Sequence, residues 1–410
     1  MIDKIRILFF LLFVVLPLGL FGQQDSLSGI QKMRYLIKQK EISKAREYLD
    51  GQINYFKEKN LPDSLARYTE FIGSFSLNNQ NWEQALKNTE TFVENLLSYN
   101  LPKVSKYAYK ELAWIQDESG RPDLAYASVE KALSFARQDL ENKSPTVDDM
   151  YYNMGYYAAA MGNYSLSKKN YLKSLDSFLN SNNENFVALQ QVYNALGGIM
   201  WREAKMDSCN YYFAQSLKAL EKTEPDIMNQ YYRPGLVLMN MAVVSNALGK
   251  NNEAITYSER SITNFQNYIL EEQDEQKQNA ARTNLLVATD NLGSFYNSVG
   301  AFNKAESLIA YSYEQKKKTK DSNDPNVIIS EILLAQAKLN TQKLDEAKLL
   351  LDSAIQKMDE NPGAQDFWRA SALTTLGNVL KGLNENNKAT IAFENGIELF
   401  LNATGGKYSV

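Results

Sequence analysis

Apolar residues recur along most of the chain at intervals of three and four, the spacing that paves one face of an α-helix. The alternation of two that marks a half-buried strand does not occur in these stretches. The pattern also repeats. Four stretches align: NMGYYAAAMGNYSLSKKNYLKSL (153–175), NMAVVSNALGKNNEAITYSERSI (240–262), NLGSFYNSVGAFNKAESLIAYSY (291–313) and TLGNVLKGLNENNKATIAFENGI (375–397). Each holds an apolar-plus-small pair, a turn, and then a small residue early in a second helix. The pairs are Met154-Gly155, Leu196-Gly197, Met241-Ala242, Leu292-Gly293, Leu334-Ala335 and Leu376-Gly377. The small member lets a second helix cross closely. The turns carry Gly120, Gly162, Gly249 and Gly300, where a helix must stop and φ can turn positive.

The small residue of the second helix forms the longest series: Ala45, Ala85, Ala125, Ser167, Cys209, Ala254, Ala305, Ala347 and Ala389, at steps of 40, 40, 42, 42, 45, 51, 42 and 42. Four residues after each come Leu49, Thr89, Val129, Tyr171, Phe213, Ser258, Ile309, Leu351 and Phe393, mostly apolar and one turn on along the same face. Proline supplies an independent test, since it costs about 3 kcal/mol inside a helix. Pro62, Pro102, Pro145, Pro225, Pro234, Pro325 and Pro362 are expected between units, and Pro122 in the turn inside one, so that no helix interior contains proline. The fold class expected is all-α, an α-α superhelical solenoid of about nine antiparallel helix pairs. The step of 51 before Ala305 marks an insertion, and the polar run from Glu271 to Gln278 is expected to lengthen two solvated helices there.

These residues carry a resemblance to tetratricopeptide repeats. That motif has a large residue, Gly and Tyr on its first helix and Ala–Phe–Ala on its second. Leu292, Gly293, Tyr296, Gly300, Ala305, Ile309 and Ser312 match it, and Leu376, Gly377, Ala389 and Phe393 follow closely. The step near 42 exceeds the usual period of about 34; it is similar to the kinesin-light-chain style with longer helices. The resemblance spans about residues 26–401 and is weakest in the first units, where Ala45 and Leu49 carry it.

The first 22 residues stand apart. Lys4 and Arg6 precede an apolar run from Ile7 to Leu20, and Gly22 precedes the polar Gln23-Gln24-Asp25. This is the layout of a secretory signal peptide, and its LFGQ ending resembles those of exported Bacteroidetes proteins. The domains expected are a signal peptide 1–22, a helical repeat domain 23–401 and a tail 402–410. The mature chain is expected to be exported, periplasmic or extracellular, with an uncleaved N-terminal anchor as the alternative. No second apolar run is long enough to span a membrane.

Composition narrows the chemistry. The chain has 410 residues, no histidine, one cysteine and a net charge of −4. Removing 1–22 takes away Asp3, Lys4 and Arg6 and leaves 42 basic against 47 acidic residues. A mildly acidic chain without a basic stripe argues against nucleic acid. Without histidine, the commonest general base and metal ligand are both absent. Cys209 cannot form a disulfide within the chain, and it sits in the small-residue slot of a helix crossing, where a buried inert thiol is expected. Lys316-Lys317-Lys318 is expected to be a solvated helix end. No phosphate loop, nucleophile elbow or dinucleotide turn occurs. No catalytic, cofactor or metal residue is therefore named, and a non-catalytic protein is expected.

The resemblance implies that first helices line a concave groove that receives a peptide or protein. Carried over unit by unit, the groove positions are Lys110 and Trp114; Tyr152 and Tyr156; Asn194 and Trp201; Asn246; Asp290, Ser294 and Asn297; Gln336; and Thr374, Asn378 and Lys381. Rings supply area to bury, and amides can pair with both the N–H and the C=O of a peptide. The last pair carries Ile391, Phe393, Ile397 and Phe400 with no following helix, so self-association through that end is a further expectation. Similar arrays also serve as the sensor or adaptor arm of a signalling or CHAT-protease architecture, or as a structural spacer or adhesion element; these are the alternatives to a binding scaffold.

Overall fold

The computed structural model describes residues 24–39, 41–69, 71–72, 82–139, 146–180, 184–360 and 366–404. The expected signal peptide, Pro145, Pro362 and residues 405–410 of the expected tail lie outside them. Every regular element among the described residues is helical. In chain order these are α1 (Gln24–Lys38), α2 (Ile42–Glu58), α3 (Pro62–Ala66), α4 (Trp82–Leu97), α5 (Pro102–Glu118), α6 (Pro122–Ala136), α7 (Val147–Ala160) and α8 (Tyr164–Leu179). There follow α9 (Phe186–Arg202), α10 (Met206–Leu220), α11 (Arg233–Ala247), α12 (Asn251–Glu271), α13 (Glu275–Ser298), α14 (Phe302–Thr319), α15 (Pro325–Asn340), α16 (Leu344–Glu360), α17 (Asp366–Gly382) and α18 (Asn386–Thr404). They divide at Glu184 and Asn185 into two compact units, one holding α1–α8 and the other α9–α18. Within each unit helices pack on their chain neighbours, the layout of an all-α helical solenoid.

Local chemistry fixes where helices start and stop. Pro62, Pro102, Pro122 and Pro325 open α3, α5, α6 and α15, where a missing N–H goes unnoticed. Thr146 caps α7 in a reciprocal box with Asp149. Most first helices end in one left-handed residue five positions before the small residue of the second helix. It is Gly120, Gly162, Gly249 or Gly300 in four pairs, with φ of 75°, 77°, 73° and 79°. In three others the same slot holds Ala204, Gln342 and Asn384, at φ of 55°, 61° and 63°.

The expected crossings are present. All nine small residues of the second helices are buried. The glycines of the first helices face the residue sixteen positions on: a Cβ on Gly155, Gly197, Gly293 or Gly377 would lie 2.6, 2.5, 2.5 or 2.6 Å from Tyr171, Phe213, Ile309 or Phe393. A second rung lies seven residues after the small residue. There Ser174, Ser216, Ser261 and Ser312 donate to the carbonyls of Asp148, Gln190, Gly235 and Leu286, each 26 residues back, at 2.8, 3.1, 2.7 and 3.0 Å. Contacts that widen in sequence from 16 to 26 residues define antiparallel pairs.

Three expectations need correction. Pro234 does not lie between units but in the first turn of α11, directly after a π-helical turn, Met228–Tyr232. The wider turn lets the Arg233 N–H reach the Met228 carbonyl and accommodates the ring. Lys316 is not solvated: it is 2% exposed and ion-paired with Asp290, while Lys317 and Lys318 are exposed. The polar run at 271–278 does sit where α12 and α13 run long, but Glu272 is buried. It accepts from Tyr268 at 2.8 Å and from the Gln273 and Asp274 N–H groups at 2.9 Å each, closing the turn. At α18, Phe393 packs against Gly377 and Phe400 lies near Phe367, so only Ile391 and Ile397, at 57% and 58% exposure, stand in the open.

Candidate binding face of the first helices

First helices touch one another as well as their partners: α11 meets α13, α13 meets α15 and α15 meets α17. Polar side chains bridge them. The Asn240 amide donates to Asn194 Oδ1 at 3.4 Å, linking α11 to α9. The Asn340 amide donates to Asn297 Oδ1 at 2.8 Å, linking α15 to α13. Gln336 donates to Ser371 and Thr375 at 3.1 and 3.3 Å, linking α15 to α17. Asn194, Asn297 and Gln336 are candidates from the sequence; Asn240, Asn340, Ser371 and Thr375 are not. Their signal is faint but present: 194 to 240 and 297 to 340 are nearly one repeat step.

The remaining candidates fall into two groups. Trp114, Asn378, Thr374 and Lys381 are exposed, Trp114 at 37%. Trp201, Asn246, Tyr152, Tyr156 and Lys110 are half-buried. The Tyr152 ring lies 5.4 Å from that of Tyr171 on α8, and Tyr156 stands edge-on to Tyr157. Lys110 pairs with Glu111 at 3.0 Å. Ser294 donates to the Asp290 carbonyl of its own helix at 3.0 Å.

Asp290 is turned inward. It is 3% exposed and its Oδ2 receives Lys316 Nζ and Ser330 Oγ, each at 2.5 Å. Lys316 also donates to Ser330 at 2.8 Å, closing a triad across α13, α14 and α15. One repeat on, Glu331 receives Lys357 at 2.7 Å and the Tyr313 hydroxyl at 3.2 Å. These charges neutralise each other inside the stack and are not offered at the surface. Cys209 is buried, with its thiol directed at the Gly197 carbonyl at 3.2 Å; burial pushes its pKa up to about 12, which suppresses thiolate chemistry. Among the described residues no cluster of metal-ligating side chains occurs, and no helix is long and apolar enough to cross a membrane.

Residues 148–178, which are α7 and α8, match the family model described as tetratricopeptide repeat. The chain carries tetratricopeptide repeats. The pairs α5–α6, α9–α10, α11–α12, α13–α14, α15–α16 and α17–α18 keep the register of that one, with the small residue and the left-handed turn at the same offsets, and the close crossing recurs at Gly197, Gly293 and Gly377. No curated protein matches the chain by sequence. Solved structures share the fold at low identity. The apo form of RapI is 12% identical with a TM-score of 0.65, over 94% of this chain and 99% of that one. The apo form of the quorum sensor NprR from B. thuringiensis is 11% identical with a TM-score of 0.60, over 92% and 99%. A signal transduction ATPase with a tetratricopeptide repeat sensor, from Pyrococcus horikoshii, is 13% identical with a TM-score of 0.61; this chain covers 94% of itself but 54% of that protein. At these identities the likeness is one of tetratricopeptide fold.

Proposed function

We propose that the chain is a non-catalytic scaffold that binds a protein or peptide along the first-helix face of its tetratricopeptide stack, and that it works outside the cytoplasm once residues 1–22 are removed. The observation that carries this is the row of amides on α9, α11, α13 and α15, half-buried at Asn194, Asn240 and Asn297 and exposed at Asn340. Asn194, Asn240, Asn297 and Asn340 now pair with one another. An amide pair of this kind can exchange its partner for a peptide group, which offers the same donor and acceptor. Trp201 and Asn378 flank the row with ring area and an exposed amide. The same fold supports the reading: one similar structure is that of a Rap protein complexed with competence and sporulation factor, with a TM-score of 0.51.

The test is cross-linked capture with the tagged chain from its own envelope fraction. A stoichiometric partner is expected, cross-linked to residues of α9, α11, α13 and α15 and lost with Trp201→Ala plus Asn297→Ala at unchanged helicity. Recovery in the cytosolic fraction alone would remove the export proposal, and cross-links confined to second helices would remove the binding face. A second reading, a sensor arm for an output module, is favoured by the likeness to the longer Pyrococcus horikoshii protein with its repeat sensor.

A further inference from the structure

Among the described residues, helical glycines have a visible reason, with two exceptions. A Cβ on Gly29, Gly155, Gly197, Gly235, Gly293, Gly377, Gly382 or Gly396 would meet a neighbour at 3.0 Å or less. A Cβ on Gly51 or Gly198 would meet nothing within 4 Å. Gly51 is exposed on α2, a second helix. Gly198 is half-buried on α9, a first helix, in the middle of the candidate face. Its backbone is ordinary helix, and its neighbour Gly197 already provides the close crossing with Phe213. Neither packing nor conformation therefore requires glycine at 198, although glycine weakens a helix interior. The remaining use of a glycine is to let another main chain come close.

The surroundings specify what would come close. Asn194 lies one turn before Gly198 and Trp201 nearly one turn after, so the three share a stripe of α9. Asn240 of α11 reaches across to Asn194. In the same row the next repeats carry Val243, Ser294, Gln336 and Asn378, so Gly198 alone leaves the helix bare. We propose that Gly198 is the floor of a recess that seats the main chain of an extended, uncharged peptide segment. The Asn194–Asn240 pair is the matching donor and acceptor, and the Trp201 ring is the apolar wall. The segment is uncharged here because the three groups assigned to hold it, Asn194, Asn240 and Trp201, carry no charge. This rests on the binding-face reading above and assigns its central contact.

The experiment is a selection of phage-displayed random dodecapeptides on the chain lacking residues 1–22, with excess soluble Gly198→Leu chain as competitor. A Cβ at 198 has room, and alanine and leucine both raise helix propensity, so both Gly198→Ala and Gly198→Leu should melt about 1–2 °C above the parent. Loss of binding cannot then be ascribed to unfolding. The expected result is enriched peptides whose affinity falls at least tenfold in Gly198→Leu and also falls in Asn194→Ala. No enrichment against the competitor overturns the proposal. Peptides selected without competitor that weaken with Asn297→Ala but bind Gly198→Leu normally overturn it while leaving the binding face intact. Peptides indifferent to every one of these substitutions overturn both.

Discussion

Glycine has three separate meanings in this chain, and each predicts a different outcome on substitution. At Gly197 the missing Cβ is filled by the Phe213 ring, which is itself buried and held by α9 and α10. Gly197→Ala should therefore overpack the crossing and lower stability by about 1–3 kcal/mol, read as a fall in urea midpoint. At Gly120, Gly162, Gly249 and Gly300 the meaning is conformational, and there the converse substitution is informative. Ala204 and Gln342 occupy the same left-handed slot with a Cβ, at roughly 1–2 kcal/mol each. Ala204→Gly and Gln342→Gly should each stabilise by about 1 kcal/mol, read as higher melting temperature at unchanged helicity. The four glycines announce the turn in the sequence. Ala204 and Gln342 do not, because only the repeat step, not the residue type, places them there. The third meaning, at Gly198, was illegible for a related reason: a bare glycine next to a structurally required one looks like part of the same motif until the space around each is known.

At the level of the helix pair, the repeat register was legible almost completely, because small residues at a crossing and apolar residues one turn on are dictated by helix geometry alone. What the pattern concealed were the charges that replace apolar residues in it. The slot eleven residues after the small one holds Phe56, Leu96, Ala136, Phe178, Leu220, Phe265 and Met358, all buried, and Lys316 in the pair α13–α14. A lysine followed by two more lysines at a helix end looks solvated; only the carboxylate 26 residues earlier, Asp290, shows otherwise. Lys316→Met should cost about 3–5 kcal/mol by leaving that carboxylate buried and uncompensated, and Asp290→Leu in the same chain should restore most of it. Chemical denaturation of both variants decides the point; equal stability of the single and double variants would contradict it. A neighbouring cluster governs acid stability. Burial raises the Glu306 pKa, but hydrogen bonds from Lys343, Thr341 and Lys338, at 2.7, 2.9 and 3.1 Å, outweigh burial and hold it at about 2, below its ordinary 4.5. A depressed carboxylate stabilises the fold above its unfolded pKa, and that contribution fades as pH falls from about 4.5 toward 2. Glu306→Gln should be less stable at pH 7 and should flatten the stability profile in that window, measured by urea melts at stepped pH.

For the molecule as a whole, the consequence of nearest-neighbour packing is that stability is local. Within each unit a pair buries its core against the next, so damage should spread by a pair or two rather than through the chain. The repeat was therefore readable through the described residues, most clearly from Gly120 onward, while the division at Glu184 and Asn185 was not, since the step from Ser167 to Cys209 is the same 42 as the step before it. Ala305 makes the test direct. It is fully buried at the α13–α14 crossing, with its carbonyl beside Gly293 and its pair closed by the Ser312 bond to Leu286. Ala305→Glu places a carboxylate where no partner can reach it and no space exists. Hydrogen exchange read by mass spectrometry should show lost protection in α13, α14 and α15, with α5 to α8 exchanging as in the parent chain. Global loss of protection would mean that the repeats unfold as one cooperative block, and binding at the α9–α11 face would then have to be measured only in chains that melt like the parent.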